Sequence, residues 1–356
     1  MERKKSVTFM LPTRGGKGPS GGFKIVYEYA NRLVRDGHEV HIVYPLTMQF
    51  RNEPLARKLR VLPRGLAWLC KGVSGRNWFP LDPAVREHLV PSLSERFLPD
   101  TDVYVATAVK TAYYLARFAP EKKKLYLIQD YETWGVSGEY VDASYRLGLR
   151  NIAISGWLRD RVTATGADCT LIRNAFDFDY FRLSVPIENR NPHSVAMLYH
   201  RDARKGCVYG LEAIARVKEQ FPDLKATLFG VPERPADLPD WIEYHQQPDR
   251  ETHNAIYNGS AIYLAPSLQE GWGLTVGEAM ICGAAPVCTD TLGFREMVTD
   301  GENGLIVPTG DADVLADAML RLLRDDALRQ RLAKRASETI RAFNWDDAYS
   351  QFKKIL

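Results

Sequence analysis

Short apolar runs alternate with helical patterns along most of the chain. Residues 6–12 form an apolar run, a glycine-rich loop spans 14–22, and apolar spacing of helical period starts at Phe23 and stops near Asp36-Gly37. A strand predicted at 39–44 completes a strand–helix–strand unit. Further apolar runs at 103–106, 125–128, 152–155 and 170–172 are separated by helical segments such as 156–165. Runs without polar alternation suit strands covered on both faces, so the pattern predicts a parallel sheet between two layers of helices.

From 176 to 193 the pattern lapses, and Pro186, Pro192 and several Asn and Arg residues read as a linker. The alternation then restarts, with strands predicted at 194–199, 226–230, 261–266 and 286–289 and helices at 206–220, 251–258 and 275–281. Beyond 311 the chain reads as helical, and its last pattern, 336–356, is interrupted by Phe343-Asn344-Trp345. The prediction is therefore a first α/β domain over 1–178, a second over 179–335, and a C-terminal helix over 336–356 packing back on the first. A length of 356 residues agrees with two domains, because a single core stops growing near roughly 250. Two such domains imply a cleft.

Composition narrows the class. The chain is 45% hydrophobic and 26% charged, and none of its apolar runs approaches the roughly 18 residues needed to span a bilayer. The opening MERKKSVTFMLP has basic residues but too short an apolar stretch for a signal peptide, so a cytoplasmic protein is expected. A net charge of +3 gives no argument for a nucleic-acid partner. Cys70, Cys169, Cys207, Cys282 and Cys288 are widely spaced and form no C-x-x-C pair, so they read as packing residues.

Gly16-x-Gly18-x-x-Gly21 satisfies a dinucleotide-binding fingerprint between a strand and a helix. That mechanism needs an acidic residue at the end of the second strand to hold a ribose, and Val43-Tyr44-Pro45-Leu46 has none. NAD is accordingly set aside. Gly21-Gly22 are better used to bring backbone amides at a helix start close to a ligand phosphate or sugar.

The most informative segment is Ser267-Leu268-Gln269-Glu270-Gly271-Trp272-Gly273-Leu274-Thr275-Val276-Gly277-Glu278-Ala279-Met280, which follows a strand and opens a helix. Free amides of Gly273, Leu274 and Thr275 at the helix start would make an anion site suited to a diphosphate. Glu270 and Glu278, eight positions apart, could accept hydroxyl hydrogen bonds on either side of it. Thr275-x-x-Glu278 can equally be a capping box.

This stretch resembles the signature of the retaining glycosyltransferases of family 4, also called group 1, in which a Glu-x7-Glu pattern is written around E-G-x-G-L and E-A-M and followed by G-x-P-V. Here the elements are Glu270-Gly271-Trp272-Gly273-Leu274, Glu278-Ala279-Met280 and Gly283-Ala284-Ala285-Pro286-Val287, with one extra residue in the last. Gly21-Gly22, Gly37-His38-Glu39-Val40 and Asn174-Ala175-Phe176-Asp177 with Phe181 resemble weaker family elements in the same order. His200-Arg201-Asp202-Ala203-Arg204-Lys205-Gly206 resembles the Arg…Lys-Gly element whose two cations clamp the diphosphate; its spacing is shorter than usual, so Arg201 and Arg204 both remain candidates beside Lys205. At the end of a first-domain strand the family often has His-Asp, where this chain has Gln129-Asp130. Gln129 hydrogen-bonds but does not titrate, which excludes general-base chemistry at 129. Asp130 either lies near the reacting centre or caps its own turn.

The resemblance implies an α/β GT-B fold: two Rossmann-like domains facing across a cleft, with a C-terminal helix crossing back to the first. It implies transfer of a hexose from a nucleoside diphosphate sugar, a UDP-sugar such as UDP-glucose in the bacterial polysaccharide pattern, to a polysaccharide or lipid-linked oligosaccharide, with retention of configuration. Glu270 would bind the donor sugar, Glu278 the ribose, and Gly271, Trp272 and the helix start the diphosphate. No metal or other cofactor is expected, since the cations neutralise the phosphates.

The stretch 51–79 carries Arg51, Arg57, Lys58, Arg60, Arg64, Lys71 and Arg76 against the single acid Glu53, with Trp68, Trp78 and Phe79 interleaved. That mixture suits a peripheral contact with the inner face of an anionic membrane, a lipid-linked acceptor, a polyanionic glycan acceptor, or a solvated basic face. Two other functions are open at this level: a nucleotide-sugar epimerase of the same fold, and a catalytically silent glycan-binding protein.

Overall fold

The structure, a computed structural model, describes residues 3–13, 18–46 and 78–356. The chain divides into two compact units, one formed by 1–173 together with 349–356, the other by 174–348.

The first unit is built on seven parallel strands: β1 Ser6–Met10, β2 Glu39–Pro45, β3 Arg86–Val90, β4 Val103–Ala106, β5 Lys123–Ile128, β6 Arg150–Ala153 and β7 Cys169–Leu171. Their spatial order is β3-β2-β1-β4-β5-β6-β7. Val7 pairs with Val40 on one side and Val103 on the other, which sets the register of the central strands. Because both faces are covered, Val7, Phe9, Ile42, Val105, Leu125 and Leu127 are fully buried, as continuous apolar runs require. The helices of this unit are α1 Gly21–Arg35, α2 Val109–Leu115, α3 Gly138–Ser144 and α4 Gly156–Ala164.

The second unit repeats the scheme with β8 Ser194–Leu198, β9 Lys225–Gly230, β10 Ile242–Gln246, β11 Ile262–Ala265, β12 Ala285–Thr289 and β13 Leu305–Val307, all parallel, in the order β10-β9-β8-β11-β12-β13. Helices α5 Cys207–Gln220, α6 Arg250–Gly259, α7 Leu274–Ile281, α8 Ala312–Arg324 and α9 Asp326–Thr339 cover it. Val195, Met197, Ile214, Leu228, Leu264, Val287, Leu315 and Leu322 lie in its core.

Two segments differ from expectation. The stretch read as a linker is fastened to the second unit through Arg190, which is buried and donates to the carbonyls of Val185 and Ser260, each at 3.0 Å, and to that of Cys282. Ser260 and Cys282 end α6 and α7, where helix carbonyls lack partners and carry partial negative charge, so a cation satisfies both needs. Nor is 336–356 one helix. Helix α9 ends at Thr339, and Asn344 then accepts the Asp347 amide at 2.9 Å to open α10, Trp345–Ile355. Residues 336–348 belong with the second unit, and only 349–356 belong with the first.

Within the first unit that last segment is held firmly. Phe352 packs on Tyr29 and Phe9 at centroid distances of 4.4 and 6.3 Å, a burial contributing about 2 kcal/mol. Tyr349 and Lys353 both bond Asp36, at 2.9 and 2.8 Å. Among the described residues no helix is long and apolar enough to cross a membrane.

Candidate functional site

In each sheet the strand order reverses once, between β1 and β4 and between β8 and β11. Loops leaving the carboxyl ends of strands at such a point diverge and leave a ligand crevice. Of the residues singled out in the sequence, Gly21-Gly22 follow β1, Arg201, Arg204 and Lys205 follow β8, and Glu270 follows β11, while Gln129-Asp130 follow β5.

In the second unit, the loop after β8 carries Arg201, Arg204 and Lys205, and the loop after β11 carries Glu270. The two loops are joined by the Leu268 amide donating to the Arg204 carbonyl at 2.7 Å. Gly206 makes the approach possible: at φ +60° it adopts the left-handed region, and a Cβ there would lie 1.9 Å from the Pro266 carbonyl oxygen. Lys205 Nζ consequently reaches Glu270 Oε1 at 2.6 Å, and Ser267 Oγ donates to the same oxygen at 2.8 Å. Glu270 Oε2 takes no partner among the described residues, which leaves one carboxylate oxygen anchored and the other able to accept a hydroxyl.

Arg201 and Arg204 differ in their surroundings, and the difference lies at Asp202. Its carboxylate caps the short turn 203–205 and grips Arg204 with contacts of 2.5 and 3.1 Å, and Arg204 holds the Asp202 carboxyl down at about 2. Arg204 is thereby neutralised inside its own loop. Arg201 is exposed, and its guanidinium has no ion-pair partner among the described residues.

Helix α7 starts at Leu274 with Gly273, φ +102°, as N-cap and no side-chain cap. The amides of Leu274 and Thr275 meet no acceptor among the described residues, the arrangement that favours an anion at a helix start. A capping box is not formed. Thr275 is inside the helix and its hydroxyl engages Tyr263, whereas Glu278, 4% exposed, accepts the Tyr257 hydroxyl at 3.1 Å. The Trp272 indole is buried against Phe343, 5.3 Å between centroids, so anything this residue offers a ligand comes from its main chain. Gly271 is buried beside it.

In the first unit, Gly22 at the start of α1 lies beside Gln129 at the end of β5: a Cβ on Gly22 would be 3.4 Å from the Gln129 amide. Gly21 next to it is exposed. Gln129 Nε2 donates weakly to the Thr107 carbonyl at 3.4 Å, and its Oε1 is buried with no partner. Asp130 Oδ1 accepts the Tyr131 amide at 2.8 Å, so the local capping role is real. Sequence reasoning missed Glu132. Burial pushes its carboxyl up to about 7, against the Val109 amide donating to it at 3.1 Å, and the nearby Asp130 charge adds to the rise. Nothing in the residue pattern marks that burial.

Gly16, Arg14, Cys70 and the basic stretch up to residue 77 lie outside the described residues. Of the aromatic residues interleaved there, Trp78 and Phe79 pack on Tyr27 at 5.5 and 5.4 Å, and Phe79 is buried. Phe79 is therefore a core residue and presents no apolar surface to a membrane. The expectation for cysteines holds at Cys207, Cys282 and Cys288, which are buried free thiols, while Cys169 is partly accessible.

Comparison with known proteins agrees with this geometry. Phosphatidyl-myo-inositol mannosyltransferase of Mycolicibacterium smegmatis is 31% identical over 218 residues, covering 58% of this chain and 56% of that protein. The O-antigen chain mannosyltransferase B of Escherichia coli is 31% identical over 111 residues, covering 31% of this chain and 29% of its own. The chain thus spans about half the length of the mycobacterial relative it matches. Among solved structures, Anabaena HepE in complex with UDP-glucose superposes with a TM-score of 0.73 at 16% identity, covering 98% of both chains. Sucrose-phosphate synthase from Thermosynechococcus elongatus gives 0.71 at 17%, covering 99% of this chain and 98% of that one. The architecture is accordingly GT-B, two Rossmann-like units with a returning C-terminal helix. Residues 186–339 match the family described as Glycosyl transferases group 1. That match falls on the unit that joins Lys205 to Glu270, so the likeness to the glycosyl transferases group 1 lies in this segment of the chain.

Proposed function

We propose that this protein is a retaining glycosyltransferase that moves a hexose from a nucleoside diphosphate sugar to a polysaccharide or lipid-linked oligosaccharide. The observation that carries the proposal is the Lys205–Glu270 pair, 2.6 Å apart beside the uncapped start of α7. Lys205 and Arg201 would neutralise the diphosphate, the amides of Leu274 and Thr275 would bind its oxygens, and Glu270 Oε2 would accept the donor sugar's hydroxyls. Glu278, fixed by Tyr257, is assigned to the ribose. The names of the relatives, both mannosyltransferases, support a hexose, and the neighbour bound to UDP-glucose supports a UDP-sugar.

The chemistry required is stabilisation of negative charge growing on the leaving diphosphate, which preorganised cations and amides supply without reorganising. Retention follows from front-face attack in which the leaving diphosphate accepts the acceptor's proton, so no pair of carboxylates of the glycosidase kind is invoked. The proposal calls for no metal, because two cations and a helix start offset the diphosphate charge.

The test is a panel of UDP-, GDP- and dTDP-sugars read by thermal shift and by transfer to glycan and lipid-linked acceptors. Glu270→Ala should abolish transfer while nucleotide binding persists; undiminished turnover would remove Glu270 from the mechanism. An acidic phospholipid vesicle assay with the basic charges at 57–64 removed tests the peripheral membrane contact, and unchanged binding would reject it.

A further inference from the structure

His200 is the first residue beyond the loop-ward end of β8 and Tyr199, inside the loop that carries Arg201 and Lys205. Its main chain is fixed on both sides, since the Tyr199 amide donates to the Phe229 carbonyl at 2.8 Å and the His200 amide to Cys207 Sγ at 3.3 Å. Its ring is fixed too: Nδ1 accepts the Asp202 amide at 2.9 Å. A nitrogen that accepts carries no proton, so the neutral ring must hold its proton on Nε2. Among the described residues Nε2–H has no partner.

The groups facing this ring are those of the candidate donor site. Lys205 and Arg204 bear on it as positive charges, and Asp202 and Glu270 as negative ones, with Arg201 adjacent in sequence. Cys207 lies against its main chain and Tyr244 packs on the neighbouring Tyr199 at 6.0 Å. Desolvation and then Lys205 lower the His200 pKa below the ordinary imidazole range, with Asp202 and Glu270 offsetting part of the effect. A second proton on Nδ1 would also displace the Asp202 amide.

We propose that His200 is a further ligand-binding residue of this site, a neutral imidazole whose Nε2–H donates to an oxygen of the sugar nucleotide's diphosphate. This rests on the donor-site assignment above and adds a hydrogen-bond donor that does not bring a third positive charge. The Asp202 amide acts as the tautomer lock, and the same Asp202 withdraws Arg204 from the ligand. Asp202 therefore acts on two of the four basic side chains in the loop, withdrawing Arg204 and holding His200 as a neutral donor.

The experiment is titration calorimetry with UDP-glucose, chosen because its diphosphate has no proton to exchange near neutrality, combined with ¹⁵N NMR of histidine-labelled full-length protein. His200→Ala should weaken binding about tenfold, the scale of one hydrogen bond to a charged acceptor, with an unchanged melting temperature. In the wild type the His200 signals should have the Nε2–H pattern, and the Nε2 signal should shift on adding UDP-glucose while the ring remains neutral. Unchanged affinity in His200→Ala, a His200 signal that ignores the ligand, or the appearance of an imidazolium pattern on binding would each overturn the proposal. If His200→Ala matches the wild type while Lys205→Ala loses affinity, only the role of His200 fails. If the wild type binds none of the sugar nucleotides in the panel, the donor-site assignment fails and takes this proposal with it.

Discussion

Glu132→Gln isolates a carboxyl held uncharged by its surroundings. In the wild type, burial raises Glu132 from 4.5 to about 7, and each pH unit of displacement corresponds to 1.36 kcal/mol, so ionising it in the folded protein costs about 3 kcal/mol. The sign is set by linkage: the folded state holds the proton more tightly than the unfolded state. Below pH 4.5 both states are protonated and nothing is lost. As pH rises from 4.5 to about 7 the unfolded chain ionises first and stability drains away, and above 7 the loss levels off. Glutamine keeps the shape and an oxygen for the Val109 amide but cannot ionise. The variant should therefore equal the wild type near pH 4.5 and exceed it by up to about 3 kcal/mol at pH 8. Urea unfolding at several pH values checks this, with hydrogen exchange in β4 and β5 assigning the change to the first unit. A stability difference that does not vary with pH, or that widens toward acid, would refute the account of a buried and destabilised carboxylate.

Other substitutions test other parts of the structure. Lys205→Ala should weaken nucleotide binding by about 2 kcal/mol, read by calorimetry, because one charge-assisted contact is removed from the site; equal affinity would count against the clamp. Gly206→Ala places a methyl on the Pro266 carbonyl and forces strain at φ +60°, so it should lower the melting temperature and reduce nucleotide affinity together. A variant with normal binding would show that the two loops do not need this approach. Arg190→Met should destabilise the second unit by about 3 kcal/mol, since several buried carbonyls lose their donor, and a denaturation midpoint like the wild type's would contradict that.

The parts of the fold that could be read from sequence are those covered on both sides. Central strands such as β4 and β11 are uninterrupted apolar runs because helices lie on each face. The strands that escaped prediction, β3, β10 and β13, are all at sheet edges. REHLV and IEYHQ are interrupted by charged and histidine side chains, and LIV is only three residues long, so none produces a distinctive run. The linker misled for a related reason. Its polar residues suggest solvent, yet Arg190 is polar because buried helix ends require donors.

The candidate site divides in the same way. Its helix start was legible because Gly273 and the following apolar residues are local to one segment. The Lys205–Glu270 contact was not, since 65 positions separate the partners and only the adjacency of β8 and β11 brings them together. The pairing of Asp202 with Arg204 is local and could have been anticipated from its spacing, but His200 as its second dependant could not. The Asp202 side chain binds Arg204 while its main-chain amide sets the His200 tautomer. The two effects travel through different atoms, so they can be separated: Asp202→Asn retains the amide and the histidine lock but loosens Arg204. If Arg204 then competes with Arg201 for the diphosphate, affinity should rise and become more sensitive to salt, by the ordinary screening of an added exposed charge. An affinity and salt slope identical to the wild type would mean that Arg204 points away from the ligand even when released, and that the loop geometry, not the ion pair, makes the selection.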